Sequence, residues 1–243
     1  MATLIMRLAG AMQSWGTQGR FSVRETGLEP SKSGVIGLVC CALGKPRREL
    51  AEHSSRWPEL DQLAALRMGV RVDRPGILLY DYQTAGGAHR KNDDYGVPKS
   101  DGSAKRTTVV SKRYYLSDSE FIIGLEGDEA LLGRIEKALK APVWPLYLGR
   151  KSYVPDGPIQ TELTTRGLKD ALGSWPRVVR TPLEKEKAPP RLRLVFDADG
   201  GQDGELRIDI PISFFPRKFA ARRVSTEWIE KPLVRFEEEG VCI

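Results

Sequence analysis

Apolar and polar residues alternate over Thr3 to Leu8, with Leu4, Met6 and Leu8 on one side, which predicts a first strand. A polar loop with four glycines follows. The apolar run Val35–Leu43 then predicts a helix over 33–43, entered after Pro30 and capped by Ser31 or Ser33. "PELDQLAAL" at 58–66 predicts a short second helix. "RMGVRVDRPG" alternates again, with Met68, Val70 and Val72 facing inward as a strand. Phe121–Leu125 is a third strand. Asp128 caps an amphipathic helix to Leu139 with Leu131, Leu132, Ile135 and Leu139 on its apolar face, and "WPLYLG" is expected as the closing strand. The order β-α-β-β-α-β predicts an α+β, RRM-like (ferredoxin-like) domain over 1–150.

Two regions depart from that minimum. Residues 77–116 carry strand-like arms, "ILLYDYQT" and "TTVVSKRYYL", around a glycine-rich centre, and predict a long projecting β-hairpin at about 80–115. After Lys151 the texture changes. Prolines punctuate short segments, and "RLRLVFDADG" followed by "GELRIDIPISF" predicts an antiparallel pair in a small β-rich domain over 151–243.

The chain has 243 residues with 40% hydrophobic content, enough for a sizeable core. It shows neither a signal-peptide pattern nor an apolar run long enough to span a bilayer, so a cytoplasmic protein without membrane association is expected. Its three cysteines lack C-x-x-C spacing, and only His53 and His89 could join them, which argues against a metal or cofactor site. No nucleophile–histidine–acid motif is present, and an enzyme is not expected.

Lys and Arg number 38 against 32 Asp and Glu, a net +6. The distribution matters more than the total. Across 85–115, Arg90, Lys91, Lys99, Lys105, Arg106, Lys112 and Arg113 oppose three Asp, a net +4 in the projecting hairpin.

"GLEPSKSGVIGLVCCALG" suggests a loop feeding a helix over phosphate, yet its register fails as a P-loop: Lys32 stands where the second Gly is required. What remains is a capped helix N-terminus with Lys32 and Ser33 beside it, and with Gly34 and Gly37 allowing close approach. This is either an ordinary core helix or an anion site for a nucleic-acid backbone. The strand "EFIIGLEG" lacks the aromatics on which an RRM stacks bases, so RNA would meet loops and hairpin instead. Loop 10–27 offers Gln13 for a base edge, Trp15 for stacking or as a core anchor, and Arg20 and Arg24 for phosphate. "LYLGRKSYVPDGP" adds Gly149, Arg150, Lys151 and Tyr153, and "FPRKFAARRV" adds Arg217, Lys218, Arg222 and Arg223.

The ordered set "RLAGAMQSWG", "PSKSGVIGLVCCALG", "DYQT", "SKRYYLSDSEF" and "PVWPLYLGRKSYVP" resembles the CasD family, the RAMP-superfamily subunits of the type I-E CRISPR Cascade. The resemblance implies a subunit that caps the 5′ handle of the CRISPR RNA. The hairpin becomes a thumb pressed between bases at the handle–spacer boundary. The implied partners are the CasC backbone subunit, the large subunit CasA and, within the complex, target DNA. Carried onto this chain, the handle cradle would use Gln13, Trp15, Lys32, Ser33, Arg150 and Lys151. The alternative reading is a metal-independent endoribonuclease, for which His89 with Lys91, Tyr95 or Lys105 could supply acid and base.

Overall fold

A computed structural model describes residues 1–16, 19–20, 22–48, 56–87, 97–98, 104–105, 108–186, 189–198, 200, 204–230 and 232–236. The elements up to the arm are β1 (Ala2–Gln13), β2 (Gly19–Arg20), β3 (Val23–Arg24), α1 (Lys32–Leu43), α2 (Leu60–Ala65), β4 (Arg67–Arg74), β5 (Ile77–Ala85), β6 (Val97–Pro98) and β7 (Ala104–Lys105). After it come β8 (Val109–Gly127), α3 (Glu129–Lys140), β9 (Thr161–Thr164), α4 (Leu168–Ser174), β10 (Arg177–Val179), α5 (Pro182–Glu186), β11 (Arg191–Asp197), β12 (Glu205–Phe214), β13 (Arg217–Glu230) and β14 (Val234–Phe236). The chain is α+β. Among the described residues ten strands form one sheet, with the path β12-β13-β11-β4-β8-β1-β9 and with β5, β3 and β2 attached through β8.

The helices start where the sequence chemistry says they should. Ser31 is the N-cap of α1 and its Oγ accepts from Gly34 N at 3.3 Å. Asp128 does the same for α3, accepting from Leu131 N at 2.8 Å. Both caps satisfy donors that the first helical turn leaves without partners. Their apolar faces bury on one side of the sheet. Val35, Ile36 and Val39 of α1 and Leu132, Ile135 and Leu139 of α3 join Leu4, Met6, Leu8, Met68, Val70, Val72, Phe121, Ile123 and Leu125. The opposite side holds Ile5, Ile122, Leu194 and Phe196 under Leu168, Ala171, Leu172 and Trp175. Each fully buried Leu, Ile or Phe contributes roughly 1.5–3 kcal/mol of transfer free energy.

β8 organises the rest. Residues 120–126 of it lie between β1 and β4, with Leu4 opposite Leu125 and Val70 opposite Ile123. Its first nine pair with β5, from Ile77 opposite Ser117 to Ala85 opposite Val109. One strand therefore runs from the core out into the arm. β6 and β7 form a small pair farther along the sequence of the arm, Val97 opposite Lys105.

Two expectations need correction. "WPLYLG" is not a strand; Leu148 N bonds Tyr153 O and Ser14 N bonds Leu148 O, so the segment spends its hydrogen bonds on neighbouring loops. The place beside β1 goes to β9, with Leu4 opposite Leu163. The residues after Lys151 do supply an antiparallel set, but β11 pairs with β4, Val195 opposite Val70, so these strands continue the first sheet without a break at 150.

Candidate nucleic-acid interface

The N-terminus of α1 already holds an anion, and it is internal. Lys32 N donates to Asp209 Oδ2 at 2.8 Å, and Lys32 Nζ donates to Asp197 Oδ2 at 2.9 Å. Arg222 clamps Asp209 through Nε at 2.6 Å and Nη2 at 2.9 Å, and its Nη1 pairs with Asp197. Two cations and two carboxylates cancel, with Lys32, Arg222 and Asp209 all buried. Burial pushes the Lys32 ammonium below its ordinary range, and the Asp197 carboxylate only partly opposes this. Nearby, buried Glu29 accepts from Arg193 at 2.7 Å and pairs with Arg207 at 2.5 Å. Lys32 and Arg222, expected against phosphate, thus tie α1 to β11, β12 and β13.

The loop after β1 is equally committed. Gln13 is fully buried: its Nε2 donates to Leu8 O at 3.1 Å and Ser119 O at 2.9 Å, and its Oε1 accepts from Trp15 Nε1 at 3.1 Å. Trp15 is a core anchor whose ring lies against Gly34, where a Cβ would stand 2.8 Å from the indole. Neither side chain is presented for base stacking or base reading; the burial that fixes the loop removes both. Gly149 has φ +91°, and a Cβ there would meet Ser14 O at 1.7 Å, so the two loops touch backbone to backbone.

These buried parts position an exposed basic ridge where the arm leaves the sheet. β3 lies parallel to β8, with Val23 beside Lys112 and Arg24 beside Arg113. Arg150 spans the gap, donating to Arg24 O at 3.2 Å and Tyr153 OH at 2.9 Å while stacking on the Tyr153 ring. Tyr153 is itself buried, packs 5.8 Å from Tyr115, and donates to Asp81 Oδ2 at 3.4 Å. Arg24, Lys112 and Lys151 are exposed, and Arg113 and Arg150 half-buried. Among the described residues no carboxylate forms an ion pair with any of these five. On the other side of the β5–β8 ribbon Tyr80 and Tyr114 meet at 5.5 Å, Lys112 Nζ sits 5.3 Å over the Tyr80 ring, and Tyr82 is exposed. Cations interleaved with open rings suit a single strand, whose backbone they neutralise and whose bases they stack.

Beside the ridge a cavity of about 370 Å³ runs along α1. Ser33, Gly34 and Gly37 of α1 line it, together with the rings of Trp144, Tyr147, Phe214 and Phe219. Among the described residues its charged lining residues are Lys45, Arg47 and Arg217, all basic. Among the described residues no group of three or more His, Cys, Asp or Glu could hold a metal ion, and no helix is long and apolar enough to cross a membrane.

The profile of one family, described as CRISPR-associated protein (Cas_Cas5), matches residues 3–225. The chain belongs to this family. It is 34% identical over 160 residues to the CRISPR system Cascade subunit CasD of Escherichia coli (strain K12); the match takes in 61% of this chain and 65% of that protein. A crystal structure of a Cas protein is 41% identical with a TM-score of 0.69, over 94% of this chain and 95% of the other. A chain of a CRISPR RNA-guided surveillance complex is 31% identical with a TM-score of 0.76, over 98% and 95%.

In this Cas5-family chain the expected site residues therefore divide. Arg24, Arg113 and Arg150 lie together at the ridge, Lys112 stands on the opposite face of the same ladder over Tyr80, and Lys151 is exposed next to Arg150 in sequence. Ser33 lines the cavity. Gln13, Trp15, Lys32, Tyr153 and Arg222 are internal supports. Arg20 lies in β2 and Lys105 in β7, with their side chains outside the described residues, as are His89, Arg90, Lys91, Tyr95 and Arg106. Tyr80, Tyr82 and Tyr114 escaped the sequence reading, which sought aromatics on the central strand. The signal was "ILLYDY", alternate rings on a segment already read as a projecting arm.

Proposed function

We propose that this chain is a non-catalytic RNA-binding subunit of a type I-E CRISPR Cascade surveillance complex. It caps the 5′ handle of the CRISPR RNA and docks the CasC backbone subunit and the large subunit CasA for target DNA interference, in the cytoplasm. In this reading β1-α1-β4-β8-α3-β9 is an RRM-like RAMP domain. The strand order β9-β1-β8-β4, with α1 and α3 on one face, supports it. The β5–β8 arm is the thumb.

One observation carries the reading: the β3–β8 ladder gathers cations that have no carboxylate ion partner among the described residues, at the root of an aromatic arm. Phosphate contacts there would hold the strand in register, and the rings would accept bases of any sequence. The likeness to CasD and to a surveillance-complex chain supports the choice of RNA and of assembly. The test is to co-express the chain with its neighbouring subunits and sequence the 5′ ends of the retained RNA. One repeat-derived 5′ end is expected; scattered ends would sink the proposal. The same material, prepared without CasE, the subunit to which the type I-E resemblance assigns RNA processing, should leave repeat RNA intact with either the parent or His89→Ala. Cleavage by the parent alone would favour the endoribonuclease.

A further inference from the structure

Gly37 has no structural reason to be glycine. It lies in the middle of α1, where glycine weakens a helix relative to alanine. A Cβ added there would meet only Phe214 Cζ, at 3.9 Å, an ordinary contact. Gly34, one turn earlier, is different, because the Trp15 ring fills the space its side chain would need. The space above Gly37 belongs to the cavity of about 370 Å³, within the roughly 300–1,000 Å³ range of small-ligand sites. Its lining offers Trp144, 42% exposed, and Tyr147, half-buried, while Arg47 and Arg217 are exposed and no acidic side chain lines it among the described residues.

We infer that this cavity holds a single unstacked base of the bound RNA, lying over the bare backbone at Gly37 between aromatic walls, with its phosphate toward Arg47 and Arg217. A flat apolar ring attached to an anion matches each feature: the missing side chain, the rings and the one-signed charge. An acidic ligand without a ring would leave the aromatic walls unused, and a neutral apolar one would leave the cations unused. The inference rests on the RNA-binding reading and deepens it, adding a base pocket apart from the thumb.

The test uses the assembled complex and RNA of the recovered 5′ sequence, carrying one abasic site at each position in turn. In the parent, one position should stand out, its abasic form binding about tenfold more weakly, the order of one base-on-aromatic stack. Gly37→Leu, which fills the cavity, should cost the same on intact RNA, and the two losses should not add. Gly37→Ala, which only contacts Phe214, should keep the parent's melting temperature or exceed it and should retain the abasic effect, separating filling from misfolding. Additive losses at every position would overturn the pocket. So would unchanged RNA affinity in Gly37→Leu together with loss of a partner subunit, since the cavity would then take a protein side chain. A parent complex that retains no RNA would defeat the RNA-binding reading first, and this inference with it.

Discussion

Two basic clusters in this molecule look alike along the chain and differ in what faces them. At the start of α1, Lys32 and Arg222 meet Asp197 and Asp209 in a buried group whose charges cancel. At the root of the arm, Arg24, Lys112, Arg113, Arg150 and Lys151 have no carboxylate ion partner among the described residues. A neutral buried quartet projects little field, whereas unpaired surface cations attract a polyanion over about a Debye length. The partners decide the role of each cation. The first cluster fastens the C-terminal strands to the N-terminal helix; the second is free to meet phosphate.

The largest expected effect tests the fastening. Asp209→Ala strips the carboxylate from Arg222 and from Lys32 N, leaving buried positive charge short of compensation. Breaking a buried pair on one side costs about 3–5 kcal/mol. Lys112→Ala, exposed on the ridge, should stay within about 0.5 kcal/mol of the parent. Chemical denaturation of both variants measures the gap, and equal stabilities would erase the distinction between the clusters.

Gln13→Ala should come next. It removes three buried hydrogen bonds and leaves the buried Trp15 Nε1 without its acceptor, for about 1–3 kcal/mol in the same assay. Stability unchanged by this variant would mean that the loop is not held by Gln13, and the support assigned to it would fall.

Acid should loosen the first cluster more gently than mutation. Burial alone would raise the Asp209 carboxyl, but the hydrogen bonds and charge of Arg222, with Lys32 N–H, outweigh it and hold the group below the ordinary aspartate value of 3.8. The unfolded chain thus takes up this proton at higher pH than the folded one. Its stabilisation is present above the ordinary value and is lost as pH falls through the lower folded one. Asp209→Asn should flatten that part of a stability–pH curve, whereas Lys112→Ala should not change its shape. A curve of parental shape for Asp209→Asn would contradict the cause given.

Much of this was legible along the chain, and the misses have physical causes. Ser31, Asp128 and the apolar faces of α1 and α3 announce both helices through local chemistry. The sequence presents β8 as two pieces, the arm "TTVVSKRYYL" and the strand Phe121–Leu125, with the polar Ser117-Asp118-Ser119 between them. In the fold Asp118 takes φ 55°, a conformation that Asp tolerates, and the ladder continues on both sides. β9 reads "TELT", polar enough for a loop, and becomes a strand only because the edge of β1 needs a partner. The charged positions of the central strands resemble a solvated face. Instead, Arg7 pairs with Glu120 and Arg71 with Asp73 in the interior. The ridge was visible as charge, but its contrast with Lys32 was not. Asp197 and Asp209 lie 165 and 177 residues away from it, and no local pattern links them.

The smallest effect is the most direct reading of the ridge. Neutralising phosphates releases counterions, so for single strands log K falls with log salt by roughly 0.7 for each phosphate held. If Arg24 and Lys112 each hold one, replacing either by Ala in the assembled complex should flatten the slope by about that amount. Between 50 and 200 mM salt this is only about a threefold change in relative affinity, which calls for a full titration. The loss should be alike for native and scrambled 5′ sequences, because phosphate contacts carry no direct sequence information. Lys32→Met is the counterpart: its ammonium is spent on Asp197, so stability should fall while the slope keeps its parental value. A slope flattened by Lys32→Met and left alone by Arg24→Ala would exchange the roles of the two clusters and move the RNA path to the start of α1.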